Sequence, residues 1–278
     1  MTYCVGMTID RGLVLMSDTR TNSGVDNISV FRKMFYWTHP GERIVSILCA
    51  GNLATTQQVI SDLEERTKAP AERHNSLLEA PTMFQVATIV GKLLRETILT
   101  RRSDSGYEGT TSFSASMIVA GQIKGMEPRL FLIYPEGNFI EASLDTPFFQ
   151  IGETKYGRPI ILRGYDRRMS FENAVKLLMV SFDSTIKANL SVGLPLDVMV
   201  IERDQFAPLH ISRITEADPY FRSISQRWGE ALRQAFYSLP DYTFEDQAPA
   251  PVPVTERVAG VPEQVTAIPP GGAPTVTV

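Results

Sequence analysis

The sequence predicts an α+β protein built in layers. Short β-forming runs occupy both ends of residues 3–211, and the helical patterns between them include a consecutive pair instead of one helix per strand. Of the 278 residues, 43% are hydrophobic, ample for a packed core. A βαβ-wound sheet, in which strand and helix alternate, fits this order poorly.

Residues 3–8 and 12–17 are apolar runs rich in β-formers on either side of Asp10-Arg11-Gly12, the spacing of a β-hairpin. Further strands are predicted over 33–38, 43–50, 114–121, 129–134, 139–142, 196–203 and 206–211. The segment 53–67 is rich in Gln and Glu. Just after it Met83, Val86, Val90, Leu93, Leu94 and Ile98 recur at helical spacing, which completes the helix pair. Ser170 suits the N-cap of a third helix, with Glu172 and Asn173 in its first turn and Val175, Leu178, Met179, Phe182 and Ile186 on one face. A fourth helix over 219–239 repeats the period with Phe221, Ile224, Trp228, Leu232 and Phe236. From residue 246 the chain turns rich in Pro and Gly and poor in large apolar residues. One folded domain over 1–245 and a disordered tail over 246–278 are expected, because such a tail buries too little surface to offset its ordering entropy.

A formal charge of −4 leaves no excess of Lys and Arg to neutralise phosphates, which argues against a nucleic-acid partner. Arg101-Arg102 and Arg167-Arg168 read as solvated faces. The two cysteines, Cys4 and Cys49, sit in apolar runs without C-x-x-C spacing, and the three histidines are scattered with no H-x-x-x-H pair. Neither a disulfide framework nor a metal site is expected, and no cofactor is implied. The start of the chain has no basic n-region, and Asp10-Arg11 interrupts its apolar stretch. With no apolar run of about 18 residues anywhere, no membrane association is expected, and a reducing, cytoplasmic setting fits.

The residues that carry chemistry are Thr2, Asp18 and Lys33. Removal of Met1, which the small side chain of Thr2 permits, leaves Thr2 with a free α-amine beside its own hydroxyl. A base and a nucleophile then share one residue. The hydroxyl is weak alone, whereas an amine of ordinary pKa about 7.7–8.0 is a usable proton acceptor near neutral pH. Two antiparallel strands of nearly equal length return Asp18 to the end of the hairpin where Thr2 begins, and a strand starting at Lys33 enters from that edge. Lys33 would lower the pKa of amine and hydroxyl by its charge, and Asp18 would hold the lysine through a charge-assisted hydrogen bond. At Ala50-Gly51-Asn52 a strand gives way to a helix. Gly51 there either makes only a tight turn or leaves backbone N–H groups free to stabilise an oxyanion, and both readings stand.

The pattern of Thr2, Gly12-Leu13-Val14-Leu15, Ser17-Asp18-Thr19-Arg20, Gly24, Lys33 and Ala50-Gly51 resembles the N-terminal threonine hydrolases of the proteasome β-subunit type, over most of the chain. The resemblance implies a four-layer αββα sandwich, self-assembly into a ring-like or helical homo-oligomer, and hydrolysis of peptide bonds in peptides or unfolded chains. It makes Thr2 the nucleophile with its amine as base, Asp18 and Lys33 the activating pair, Gly51 the oxyanion donor and Arg20 a support of the Asp18 turn. Thr21, Phe31 and Cys49 fall where the family lines its primary specificity pocket, which here would be mid-sized and largely apolar. With only Met1 ahead of Thr2, exposure of the amine is expected to depend on a methionine aminopeptidase.

Two stretches depart from that pattern. Gly152-Glu153-Thr154 stands where the family carries G-S-G, and Asn189-Leu190-Ser191-Val192-Gly193 where it carries D-x-x-S-G. The aspartate is matched by Asn189 and the serine by Val192, unless a shift of one brings Ser191 into that role. Glu153 is expected to pair with Lys33 or with the α-amine, and by raising the amine pKa to move an activity optimum to higher pH. Two alternatives follow: a small-molecule amidase, since the same chemistry serves any amide, and a non-catalytic assembly or binding protein, supported by Glu153, Asn189 and Val192. An ATPase partner and the subunit number are left open by the sequence.

Overall fold

The computed structural model describes residues 2–22, 28–68, 76–104 and 113–243. Its first hairpin joins β1 (Tyr3–Ile9) to β2 (Gly12–Asp18), with Cys4 opposite Ser17 and Ile9 opposite Gly12. Successive residues of both strands feed different cores, as a period of two requires. Tyr3, Val5, Met7, Val14 and Met16 lie in one apolar cluster, and Cys4, Leu13 and Leu15 in another. Because both faces are buried, the strands read in sequence as unbroken apolar runs.

Two antiparallel five-stranded sheets stack face to face. The first has the order β10 (Phe148–Gly152), β1, β2, β11 (Leu196–Glu202), β12 (His210–Ile214). The second runs β5 (Met34–His39), β6 (Arg43–Gly51), β7 (Ala115–Ile123), β8 (Arg129–Ile133), β9 (Phe139–Glu141). A two-stranded ribbon, β3 (Arg20–Asn22) with β4 (Ile28–Val30), links β2 to the approach to β5.

Leu13, Leu48, Ile118, Phe149 and Met199 fill the space between the sheets. On the outer face of the second sheet, α1 (Leu53–Lys68) and α2 (Met83–Asp104) set Val59, Leu63, Val86 and Val90 against Val45, Ile47 and Val119. On the outer face of the first lie α3 (Arg158–Gly164), α4 (Phe171–Ala188) and the first turn of α5 (Pro219–Tyr237), contributing Ile161, Leu178, Phe182 and Phe221. Each such fully buried side chain stabilises the fold by roughly 1.5–3 kcal/mol. The layers therefore run α, β, β, α, the four-layer sandwich expected. Ser170 caps α4 by accepting the Asn173 N–H, as its sequence indicates.

Residues 1–234 and 235–278 form two compact units. The sandwich belongs to the first. In the second, the described residues finish α5, after which the Ser238 and Leu239 N–H groups bond back to the carbonyls of Ala235 and Phe236. Gly24 and the Pro-rich tail expected from residue 246 lie outside the described residues.

The structure adds elements that the sequence pattern hides. Strand β10 is a five-residue run between Pro147 and the Glu153 turn, buried on both faces through Ile151 and thus without alternation. Helix α3 has seven residues, opens with Pro159 in its first turn and buries Ile161. The β3 and β4 strands have three residues each, below any readable period. The last strand, predicted over 206–211, sits at 210–214. Asp204 adopts a φ of 61°, Gln205 N–H bonds to Glu202 O, and pairing resumes where Leu209 N–H reaches Val200 O.

Candidate active site

Hydrogen bonds gather the chain start, the end of β2 and the approach to β5. Tyr3 opens β1 and donates its N–H to Asp18 Oδ1 at 3.0 Å. Lys33 sets its Nζ 2.7 Å from that same oxygen and 2.6 Å from the Arg20 carbonyl oxygen. Asp18 is 0% exposed and Lys33 5%, so the pair is desolvated and its attraction far exceeds that of a surface pair. Burial pushes the Asp18 carboxyl above its usual range, opposed by the Lys33 charge and hydrogen bond and by the N–H groups of Tyr3 and Gly193. The other oxygen, Oδ2, is buried without a hydrogen-bond partner of standard geometry.

Thr2 and Lys33 line one cavity of about 500 Å³ together with Thr21, Cys49 and Gly51. Thr2 is 9% exposed. Its carbonyl accepts the Glu153 N–H at 2.6 Å, which extends the β1–β10 register beyond Tyr3 opposite Gly152. Gly152 makes this approach possible. It has a φ of +85°, and a Cβ there would stand 1.9 Å from Thr2 O.

Gly51 ends β6 with a φ of +110°, where a Cβ would fall 2.5 Å from Ser114 O. Its N–H direction follows from ladder parity. Cys49 donates its N–H to Lys33 O on the β5 side, and Asn52 donates to Ser114 O on the β7 side. Alternation turns the Gly51 N–H to the β5 side, beyond the start of that strand and toward the cavity. The residue that would have met it, Phe31, gives its own N–H to Thr19 O instead. Asn52 then starts α1 by accepting the Thr55 N–H on its side-chain oxygen. Of the two readings of Gly51, the positive φ and the close approach to Ser114 O bear on the tight turn.

Contacts behind these residues fix the arrangement. Arg20 donates from Nη1 to Leu190 O and lies against Gly193, while Thr19 Oγ1 donates to Pro195 O at 2.7 Å. Asn189 follows the end of α4. Its Nδ2 donates to Glu153 Oε2 at 2.9 Å, and its Oδ1 accepts the Ser191 N–H. Val192 is fully buried in the core beneath α4. Ser191, offered as a substitute in register, is held by Asn189 and is not among the cavity residues.

The structure narrows one expectation, the pairing of Glu153 with Lys33 or with the α-amine, and corrects another. No ion pair joins Glu153 to Lys33, because Lys33 is spent on Asp18 and the Arg20 carbonyl and Glu153 is bound by Asn189. Phe31 does not line the cavity; Phe35 does. Phe35, Leu53 and Gln57 are site residues that sequence reasoning missed. Their signals are present: Phe35 lies two residues beyond Lys33 on β5, and Leu53 and Gln57 are four apart in the first turns of α1.

Cys49 places a thiol at the cavity. Burial pushes its thiol well above the usual range, which leaves no thiolate near neutral pH and makes it a wall, not a reagent. Among the described residues no group of His, Cys, Asp and Glu stands where it could hold a metal ion. No helix among them is long and apolar enough to cross a membrane.

The proteasome subunit family matches residues 2–201. Among solved structures, the Anbu (Gly-1) mutant from Hyphomicrobium sp. strain MC1 is 48% identical, covers 87% of this chain and 100% of its own, and has a TM-score of 0.80. Anbu (ancestral beta-subunit) from Yersinia bercovieri is 45% identical over 87% of this chain and 99% of its own, with a TM-score of 0.81. The Anbu complex of Pseudomonas aeruginosa, solved as a helical assembly, is 43% identical over 88% of this chain and 100% of its own, also at 0.81. No curated protein matches the chain. With its four layers, its buried Lys33–Asp18 pair beside Thr2 and a family match across residues 2–201, the chain belongs to the proteasome subunit family.

Proposed function

We propose that the chain is a subunit of a self-assembling threonine peptidase acting through Thr2 after loss of Met1. The observation that carries this reading is the Lys33–Asp18 pair, buried next to Thr2 at a cavity that Gly51 also lines. In this mechanism the Thr2 amine takes the proton from its own Oγ as Oγ attacks a peptide carbonyl. The Gly51 N–H stabilises the oxyanion, a contribution of about 10²–10³ in rate for one such donor. The amine then passes its proton to the leaving nitrogen, and water hydrolyses the ester. Lys33 lowers the pKa of the nucleophile by its charge, and Asp18 with the Arg20 carbonyl holds the ammonium in place.

The cavity, walled by Thr21, Phe35, Cys49 and Leu53, suits a medium-sized apolar side chain next to the scissile bond. Likeness to Anbu, one member of which forms a helical assembly, supports a homo-oligomer. Two buried, unpaired thiols are in keeping with a reducing cytoplasm.

A non-catalytic assembly role is the second reading, favoured by one observation: an acidic residue, Glu153, stands nearly buried directly opposite Thr2, its backbone N–H bonded to the Thr2 carbonyl. Intact mass and trapping separate the two. The peptidase reading expects a chain lacking Met1 that reacts at Thr2 with an electrophile requiring both hydroxyl and amine, and a Thr2→Ala variant that does not. Retention of Met1, or equal labelling of wild type and variant, leaves the assembly role standing.

A further inference from the structure

We infer that Glu153 is the counter-ion of the mature Thr2 α-amine, a positioning residue that keeps the amine protonated at neutral pH and so holds the site's base in reserve. This rests on the proposal that Thr2 becomes the chain end.

The direction of the amine follows from the backbone. In an extended strand the N–H and C=O of one residue face the same neighbour, and the next residue faces the other way. Thr2 O accepts from the Glu153 N–H, whereas Tyr3 N–H turns to Asp18 on the β2 side. The Thr2 nitrogen thus faces β10 and Glu153. Glu153 stands directly opposite Thr2, its N–H 2.6 Å from the Thr2 carbonyl oxygen, and opposed residues have Cβ atoms about 4.5–5.5 Å apart. A glutamate side chain spans that gap easily.

The charges decide the sign. Glu153 is 8% exposed, its Oε2 accepts from the neutral amide of Asn189, and it has no ion-pair partner among the described residues. A buried carboxylate without a cation is costly, and the Thr2 ammonium is the cation the fold brings to it. The other charges around the amine largely cancel. Lys33 is matched by Asp18 at 2.7 Å, and the Arg20 guanidinium is turned to the Leu190 carbonyl. Arg32 lines the cavity but is exposed and screened by solvent. The unbalanced charge near the amine is therefore negative. An anion favours the ammonium and raises its pKa above the ordinary value of about 7.7–8.0. Since a general base must be neutral to accept a proton, the amine has to lose one to solvent first, and readiness of the site rises with pH.

The test uses the full chain beginning at Thr2, released by a specific protease from a removable leader, so that amine chemistry is read whether or not peptides are cleaved. Acylation of the α-amine by acetic anhydride is followed against pH by mass mapping of the N-terminal peptide. The wild type should titrate with a midpoint above about 8, and the isosteric Glu153→Gln should bring it down by one unit or more. Asn189→Ala, which keeps the carboxylate, should retain the elevated midpoint. A wild-type midpoint at or below about 8, or one unmoved in a Glu153→Gln chain that melts like the wild type, overturns the inference while leaving the peptidase proposal intact. Elevated titration with no trapping at Thr2 would remove the peptidase proposal alone.

Discussion

Lys33 and Asp18 lie 2.7 Å apart at the end of β2, the central strand of the first sheet, and neither has another opposite charge at ion-pair distance among the described residues. Charge and shape can be separated at this pair. Lys33→Met leaves Asp18 buried and alone, at a cost of about 3–5 kcal/mol. Asp18→Asn with Lys33→Met together should recover most of that loss in urea unfolding yet leave peptide hydrolysis down by about 10²–10⁴, the range for removal of proton-transfer machinery. Recovery of turnover in the double variant would show that the pair is only a fastener.

Asp18 also makes a prediction in pH. Its carboxyl is raised by burial, so the folded chain binds this proton more tightly than the unfolded chain, whose value is near 3.8. The group therefore favours folding in acid, and that contribution is lost as the pH rises from 3.8 through the folded value. The stability of wild type relative to Asp18→Asn should shrink over that window in a series of urea titrations. A gap that widens with pH contradicts the direction. Activity runs the opposite way, since protonated Asp18 no longer holds the Lys33 ammonium, and an acid limb should appear above the ordinary carboxylate range.

Gly51→Ala places a methyl 2.5 Å from Ser114 O in a backbone conformation of φ +110°. The strain is on the order of 1–3 kcal/mol. Relief by rotation of the peptide would swing the N–H away from the cavity. Calorimetry should register the stability loss, and kcat should fall by at least about tenfold more than KM changes. A variant with wild-type kcat would leave Gly51 as a turn residue only.

Tyr3 presents a contrasting case, important for structure and remote from the chemistry. Its hydroxyl receives Gln150 Nε2 and shares a 2.7 Å hydrogen bond with Ser181, and its ring packs 4.4 Å from Phe182. Tyr3→Phe strands the Gln150 amide and should cost about 1–3 kcal/mol in unfolding experiments. Peptide hydrolysis by the folded fraction should change less than about threefold, because the Tyr3 N–H to Asp18 is kept.

Much of this is legible in the chain. The β1–β2 hairpin, the α1–α2 pair and the capped start of α4 are local patterns, written in spacing and in single residues such as Ser170. Asp18 and Lys33 could be brought together because a two-strand hairpin returns its end to its beginning. What escaped is non-local. Strand β10 carries no alternation, and its register with β1 spans about 150 residues of sequence, so the backbone bond between Glu153 and Thr2 has no trace in local pattern, and only the resemblance at Gly152-Glu153-Thr154 pointed to it. Phe35 replaced Phe31 at the cavity because the backbone before Lys33 bends to Thr19, a hydrogen bond that no propensity encodes.

The clasp between the Thr2 carbonyl and the Glu153 N–H also sets a clock. Until the ribosome has made residue 153, nothing in the first sheet can lock the leading residue in place, and the front of the nascent chain remains available to a trimming enzyme. At ~5–20 residues per second, that interval is on the order of ten to thirty seconds. Once β10 has zipped onto β1, residue 2 is enclosed. On the peptidase proposal, the competence of each molecule would thus be decided during its own synthesis.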